Sequence, residues 1–220
     1  AGGGGGGGAA APAPPPGRPI IDSVSGQRTA SGDFLTGKET VDIRGSGALP
    51  NGRISVLVDG LLAGTTVADA NGQWTYTIAR LPDGTHAISV TQTDAAGVAS
   101  APADARVVVD TTAPPAPLID GVADNVGAIE GPIAQGGSTD DSTPTLTGMA
   151  EAGSILRIFD AGTQIAELLV GADGRWSFTP APLAEGPHSL TITATDAAGN
   201  VSDASQPFSF TVDTTPPLLE

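Results

Sequence analysis

Apolar and polar residues alternate through most of the chain. Trp74-Thr75-Tyr76-Thr77-Ile78 and Trp176-Ser177-Phe178 place aromatic side chains on one face and hydroxyls on the other. Leu190, Ile192 and Ala194 alternate with Thr191, Thr193 and Thr195, and Phe208, Phe210 and Val212 form a last alternating run. A period of two belongs to a strand with one face buried and one wet. Turn residues recur about every eight to twelve positions, the spacing of short antiparallel strands. Asp59-Gly60 and Asp160-Ala161-Gly162 follow apolar runs as hairpin turns do. No stretch has a helical period.

The pattern repeats. Residues 72–100 (GQWTYTIARLPDGTHAISVTQTDAAGVAS) align without a gap on residues 174–202 (GRWSFTPAPLAEGPHSLTITATDAAGNVS), an offset of 102. PIID at 19–22 matches PLID at 117–120, and VDTTAPP at 109–115 matches VDTTPP at 212–217. Each unit of roughly 100 residues then holds about seven strands, which predicts an all-β protein of two tandem Ig-like β-sandwich domains. The Trp precedes the penultimate strand, and no Cys pair joins the sheets. The expected organisation is a disordered Gly/Ala/Pro-rich segment at 1–19, a first domain at 20–113, a proline-rich linker at 114–118 and a second domain at 119–215. Residues 216–220 would begin a further linker.

Composition narrows the function. Nine Lys and Arg against 24 Asp and Glu give a net charge of −15, which repels phosphate backbones and anionic lipid. Nucleic acid is therefore not an expected partner. No apolar run reaches the length needed to cross a bilayer as a helix, so membrane insertion is not expected. With no Cys, two His and one Tyr, the usual catalytic side chains are scarce. The poly-Gly stretch lacks the preceding strand and the GK[ST] ending of a phosphate-binding loop.

Residues 119–154 (IDGVADNVGAIEGPIAQGGSTDDSTPTLTGMAEAGS), with the later ADGRWSFTP, TDAAGNVS and VDTTPP, resemble the bacterial Ig-like repeats of giant type I-secreted surface adhesins and biofilm-associated proteins. The resemblance covers nearly all of the second unit and most of the first after residue 50. It implies an extracellular tandem stalk whose modules bind Ca²⁺ at and near their junctions. The first unit departs from the pattern, with SVSGQRTASGDFLTGKET in place of the DNVG and TDDST stretches.

His86 and His188 occupy the same repeat position at the entry to the same strand, about one domain apart. They read as hydrogen-bonding corner residues rather than a catalytic or zinc pair. The acidic residues carry the other candidate chemistry. Ca²⁺ takes about six to eight oxygens, so a site needs several carboxylates plus amide or hydroxyl oxygens from segments that meet. Sandwich topology places the ends of strands A and C and the A–B loop together. In the second unit this predicts a Ca²⁺ site from Asp124, Asn125, Asp140, Asp141 and Asp160. In the first unit Lys38 and Glu39 stand where Asp141 and Ser142 stand, so no equivalent site is expected. A second Ca²⁺ site is predicted at the junction from Asp110, Asp120, Glu151 and Asp196. The alternative for both clusters is that these residues are turn formers and solvated surface charges.

The expected function is a non-catalytic stalk module of a bacterial adhesin, secreted or displayed at the cell surface. Its partners would be neighbouring Ig-like repeats of the same chain, with Ca²⁺ as cofactor and no small-molecule substrate. Two alternatives stand beside it: a glycan- or protein-binding recognition module, and an accessory domain of a secreted hydrolase.

Overall fold

Alternating side chains become strands wherever a turn lets one run fold back on the next. The computed structural model describes residues 14–127 and 130–215. The chain divides into two units at residues 110 and 111. In the first, β1 (Ile20–Val24), β2 (Gln27–Arg28), β3 (Phe34–Thr36), β4 (Val41–Ser46) and β5 (Arg53–Val58) are followed by β6 (Leu61–Val67), β7 (Trp74–Ile78), β8 (Gly84–Thr93) and β9 (Ala103–Val109). They form a three-stranded sheet in the order β1-β4-β7 and a six-stranded sheet in the order β2-β3-β9-β8-β5-β6.

The second unit has β10 (Leu118–Asp124), β11 (Gly131–Pro132), β12 (Ser138–Thr139), β13 (Thr145–Met149), β14 (Ile155–Asp160), β15 (Thr163–Leu169), β16 (Arg175–Phe178), β17 (Gly186–Thr195) and β18 (Phe208–Val212). Its sheets run β11-β10-β13-β16 and β12-β18-β17-β14-β15. The expected all-β sandwich architecture is present in both units, with no helix among the described residues.

Short extra strands add to the expected seven. β3 pairs with β9, and β12 with β18, in parallel rather than antiparallel fashion. The segment after the first strand thus crosses from the small sheet to the edge of the large one. A two- or three-residue strand has too few positions to show a period, so these additions left no pattern to read.

The core of each unit lies between its sheets. Trp74 packs with Ile43, Ile54, Val56, Ile88 and Val107 in the first, and Trp176 with Leu146, Leu156, Ile158, Ile192 and Phe210 in the second. Each Trp lies against a glycine on the neighbouring strand. A Cβ at Gly45 would sit 2.1 Å from Trp74 Cζ2, and one at Gly148 would sit 2.0 Å from the Leu118 carbonyl oxygen and 2.6 Å from Trp176 Cζ2. Both indole N–H groups are buried without a hydrogen-bond partner. An orphaned donor costs about 1–3 kcal/mol. Burying about 150–250 Å² of indole contributes roughly 4–6 kcal/mol, so the ring stays inside.

The expected tail at 1–19 falls largely outside the described residues, as does the expected further linker at 216–220. Its described end is tied to the first unit. Pro19 is buried, and the Gly17 carbonyl accepts a hydrogen bond from the side chain of buried Gln92 at 2.5 Å.

Candidate functional site

The two histidines build the same corner twice. β5 and β6, and likewise β14 and β15, are joined by two-residue turns whose central residues have positive φ: Asp59 and Gly60 in one, Ala161 and Gly162 in the other. In the first unit His86 Nδ1 lies 2.7 Å from Asp59 Oδ2 and Nε2 lies 2.9 Å from the Pro82 carbonyl oxygen. In the second, His188 Nδ1 lies 2.6 Å from Asp160 Oδ2 and Nε2 lies 2.8 Å from the Ala184 carbonyl oxygen. The other carboxylate oxygen accepts the N–H of Ala87 or Ser189. The acid stands one position earlier relative to the turn in the second unit, yet its carboxylate reaches the same pair of donors.

Both ring nitrogens therefore face acceptors, an arrangement that the imidazolium satisfies fully and a neutral ring only half satisfies. The hydrogen bond to Asp59 is the largest influence on His86 and raises its pKa against the opposing effect of burial. For His188 burial is the largest single influence and pulls the pKa down, but the Ala184 carbonyl and Asp160 together outweigh it and raise it. Asp59 is held below the usual carboxylate range, first by its hydrogen bond with His86.

This corner redirects one predicted ligand. Asp160, expected in a Ca²⁺ cluster with Asp124, Asn125, Asp140 and Asp141, gives both its oxygens to His188 and the Ser189 N–H. The structure does bring Asp124, Asn125 and Asp141 together. Asp124 accepts from the Thr139 hydroxyl at 2.5 Å and the Val126 N–H at 3.0 Å. Asp141 accepts from the Asn125 N–H and from both the N–H and the hydroxyl of Thr143. Asp140 stands near the Gly127 Cα, its carboxylate within 2.4 Å of where a Cβ would be. Every oxygen of the buried Asp124 and Asp141 receives an N–H or O–H donor, the surroundings of a loop-locking carboxylate. A Ca²⁺ sphere would instead need those lone pairs to converge on one point. Among the described residues no group of three or more His, Asp or Glu side chains is placed to hold a metal ion.

The equivalent corner of the first unit has Lys38 in place of the buried Asp141. Lys38 donates its N–H to Thr36 Oγ1 as Asp141 does to Thr139 Oγ1, and the Glu39 carbonyl accepts from Leu81 as that of Ser142 does from Leu183. Lys38 and Glu39 thus stand where Asp141 and Ser142 stand, as the repeat alignment anticipates.

Of the four acids expected at the junction, Asp110 belongs to the first unit and Asp120, Glu151 and Asp196 to the second. Asp110 ends the first unit, with its N–H on the Thr36 carbonyl. Asp120 is exposed at an irregularity of β10, in a depression shared with Asp173 and Arg175. Glu151 is exposed, and its carbonyl accepts from the Ser154 hydroxyl. Asp196 closes the TDAAGN loop by accepting the backbone and side-chain N–H groups of Asn200. The pairing of each hairpin acid with its histidine escaped the sequence reading. Its signal was an acid 27 or 28 residues before the histidine in both copies.

A model of the bacterial Ig-like domain matches residues 18–111 and again 122–214. The chain belongs to this family. Both bacterial Ig-like domains share their fold with the Clostridium thermocellum CbhA fibronectin(III)-like modules, at 16% identity and a TM-score of 0.55 over 88% of this chain and 93% of that one. A biofilm-associated protein BSP domain is similar over 82% of this chain and 29% of its own length, at 22% identity and a TM-score of 0.34. No curated protein sequence matches the chain. No helix among the described residues is long and apolar enough to cross a membrane.

Proposed function

We propose that this pair of bacterial Ig-like domains is a non-catalytic spacer in a protein displayed at a bacterial cell surface, where serial repetition holds a distal segment away from the cell. The observation that supports it is the duplication of structural contacts that occupy both histidines. Both copies repeat the Trp–Gly core contact and the His–Asp corner. Each histidine is spent on its own hairpin, with both ring nitrogens engaged, so neither is available as a general base. Calcium forms no part of this reading.

Chains carrying two, four and six units, compared by small-angle X-ray scattering, test the spacer. The maximum dimension should grow in proportion to copy number. A dimension that levels off as copies are added would overturn the proposal.

A further inference from the structure

The first unit carries a polar groove on its large sheet. Beyond β9, the β2–β3 hairpin extends the large sheet, and its Thr29–Asp33 turn closes through the hydrogen bonds of the Thr29 N–H to the Asp33 carbonyl and of the Gly32 N–H to the Thr29 carbonyl. This turn and the solvent-facing residues of β8 and β9 enclose a groove of about 470 Å³, within the roughly 300–1,000 Å³ of small-ligand sites. Its polar lining is Arg28, Arg106, Asp33, Asp104, Ser31 and Ser89.

These side chains are held but not consumed. The Ser31 hydroxyl donates to Asp33 at 3.1 Å, and the Ser89 hydroxyl to Asp104 at 2.6 Å. Arg106 Nε stands 4.0 Å from Asp33 Oδ1, too far for a hydrogen bond, and the Arg28 guanidinium lies over the Phe34 ring at 5.6 Å. Both guanidinium forks thus keep donors free for a ligand.

The fold does not require this set. His86 pairs with Val107 on β9, and His188 with Phe210 on β18. Arg106 therefore corresponds to Ser209 and Asp104 to Pro207. There the Gln135 side chain bonds the Pro207 carbonyl and the Ser209 N–H instead. The second sandwich forms without the charges, so they are free to serve recognition.

Two guanidinium forks suit a carboxylate, while two carboxylates suit hydroxyl donors. A ligand that satisfies both carries an acid group among hydroxyls. We propose that this groove binds an acidic saccharide, with the sugar carboxylate on Arg28 and Arg106 and its hydroxyls on Asp33 and Asp104. This goes beyond the spacer reading, since it gives one domain of the pair a contact of its own.

The test is a titration of the ¹⁵N-labelled chain with trigalacturonate, followed by amide chemical shifts. Saturable shifts are expected at Gly32, Gly60 and Ser89. Arg28→Gln and Arg106→Gln should each weaken binding about tenfold, while Arg44→Gln, on the other sheet, should leave it unchanged. Galactotriose and acetate at the same concentration should not reproduce the shifts. The proposal fails if the shifts do not saturate, if either groove variant binds as the parent does, or if galactotriose or acetate binds as tightly as trigalacturonate.

Discussion

His86 and His188 couple each hairpin to protonation. A histidine whose pKa is raised on folding adds stability that is fully present below its unfolded value, about 6.5. That stability is lost as pH rises through the folded value. Both histidines shift in this direction. The thermal midpoint should therefore fall as pH is raised from about 6 to 8, and His86→Gln with His188→Gln should flatten the curve over that window. Asp59, whose pKa is lowered, acts at the other end: its contribution is present above the unfolded value near 3.9 and fades as pH falls through the folded one. Calorimetry across pH 3–8 would read both limbs. A histidine-free variant with an unchanged slope above pH 6 would show that the corner is not the titrating group.

Between the strands, the two copies solve one packing problem in two ways. β6 and β15 each form one edge of a large sheet, and each is irregular at one residue where it pairs with its neighbour. In the first unit the Tyr76 hydroxyl reaches across from the other sheet to the Ala63 carbonyl at 2.8 Å. That reach needs Gly64, since a Cβ there would sit 2.2 Å from the Tyr76 oxygen. At the repeat positions the second unit has Phe178 and Ala166. The hydroxyl and the missing methyl have been exchanged together. Gly64→Ala alone should destabilise the first unit by about 1–3 kcal/mol through overpacking. Adding Tyr76→Phe should recover most of that loss, a coupling expected only of side chains in contact. Urea denaturation of the single and double variants measures it, and additive losses would contradict the contact.

Across the whole molecule, charge is distributed unevenly between the sandwiches. Residues 1–110 hold seven basic and ten acidic side chains, a net −3, while residues 111–220 hold two and fourteen, a net −12. Like charges repel within a compact unit, and salt screens that repulsion over a Debye length of about 10 Å at 0.1 M. Raising NaCl from about 20 mM to 500 mM should therefore raise the melting temperature of the isolated second unit more than that of the first. Equal shifts would mean that the acids of the second unit are already offset locally, as Asp124 and Asp141 are by their N–H and O–H donors.

The period of two and the 102-residue offset were enough to establish an all-β sandwich present twice, because burial of one strand face repeats along the chain and needs no knowledge of distant partners. The position of Lys38 against Asp141 was legible for the same reason. What a carboxylate does was not. Asp160 looked like an ion ligand among other acids, and only the strand register showed that its oxygens meet His188 and the Ser189 N–H. The Arg28–Arg106 groove was equally hidden, since its residues lie 78 positions apart and meet through a parallel strand too short to leave a pattern. Periodicity reports which face of a strand is buried; the partner of a polar side chain depends on which segments cross in space, and that is decided when the sheets close.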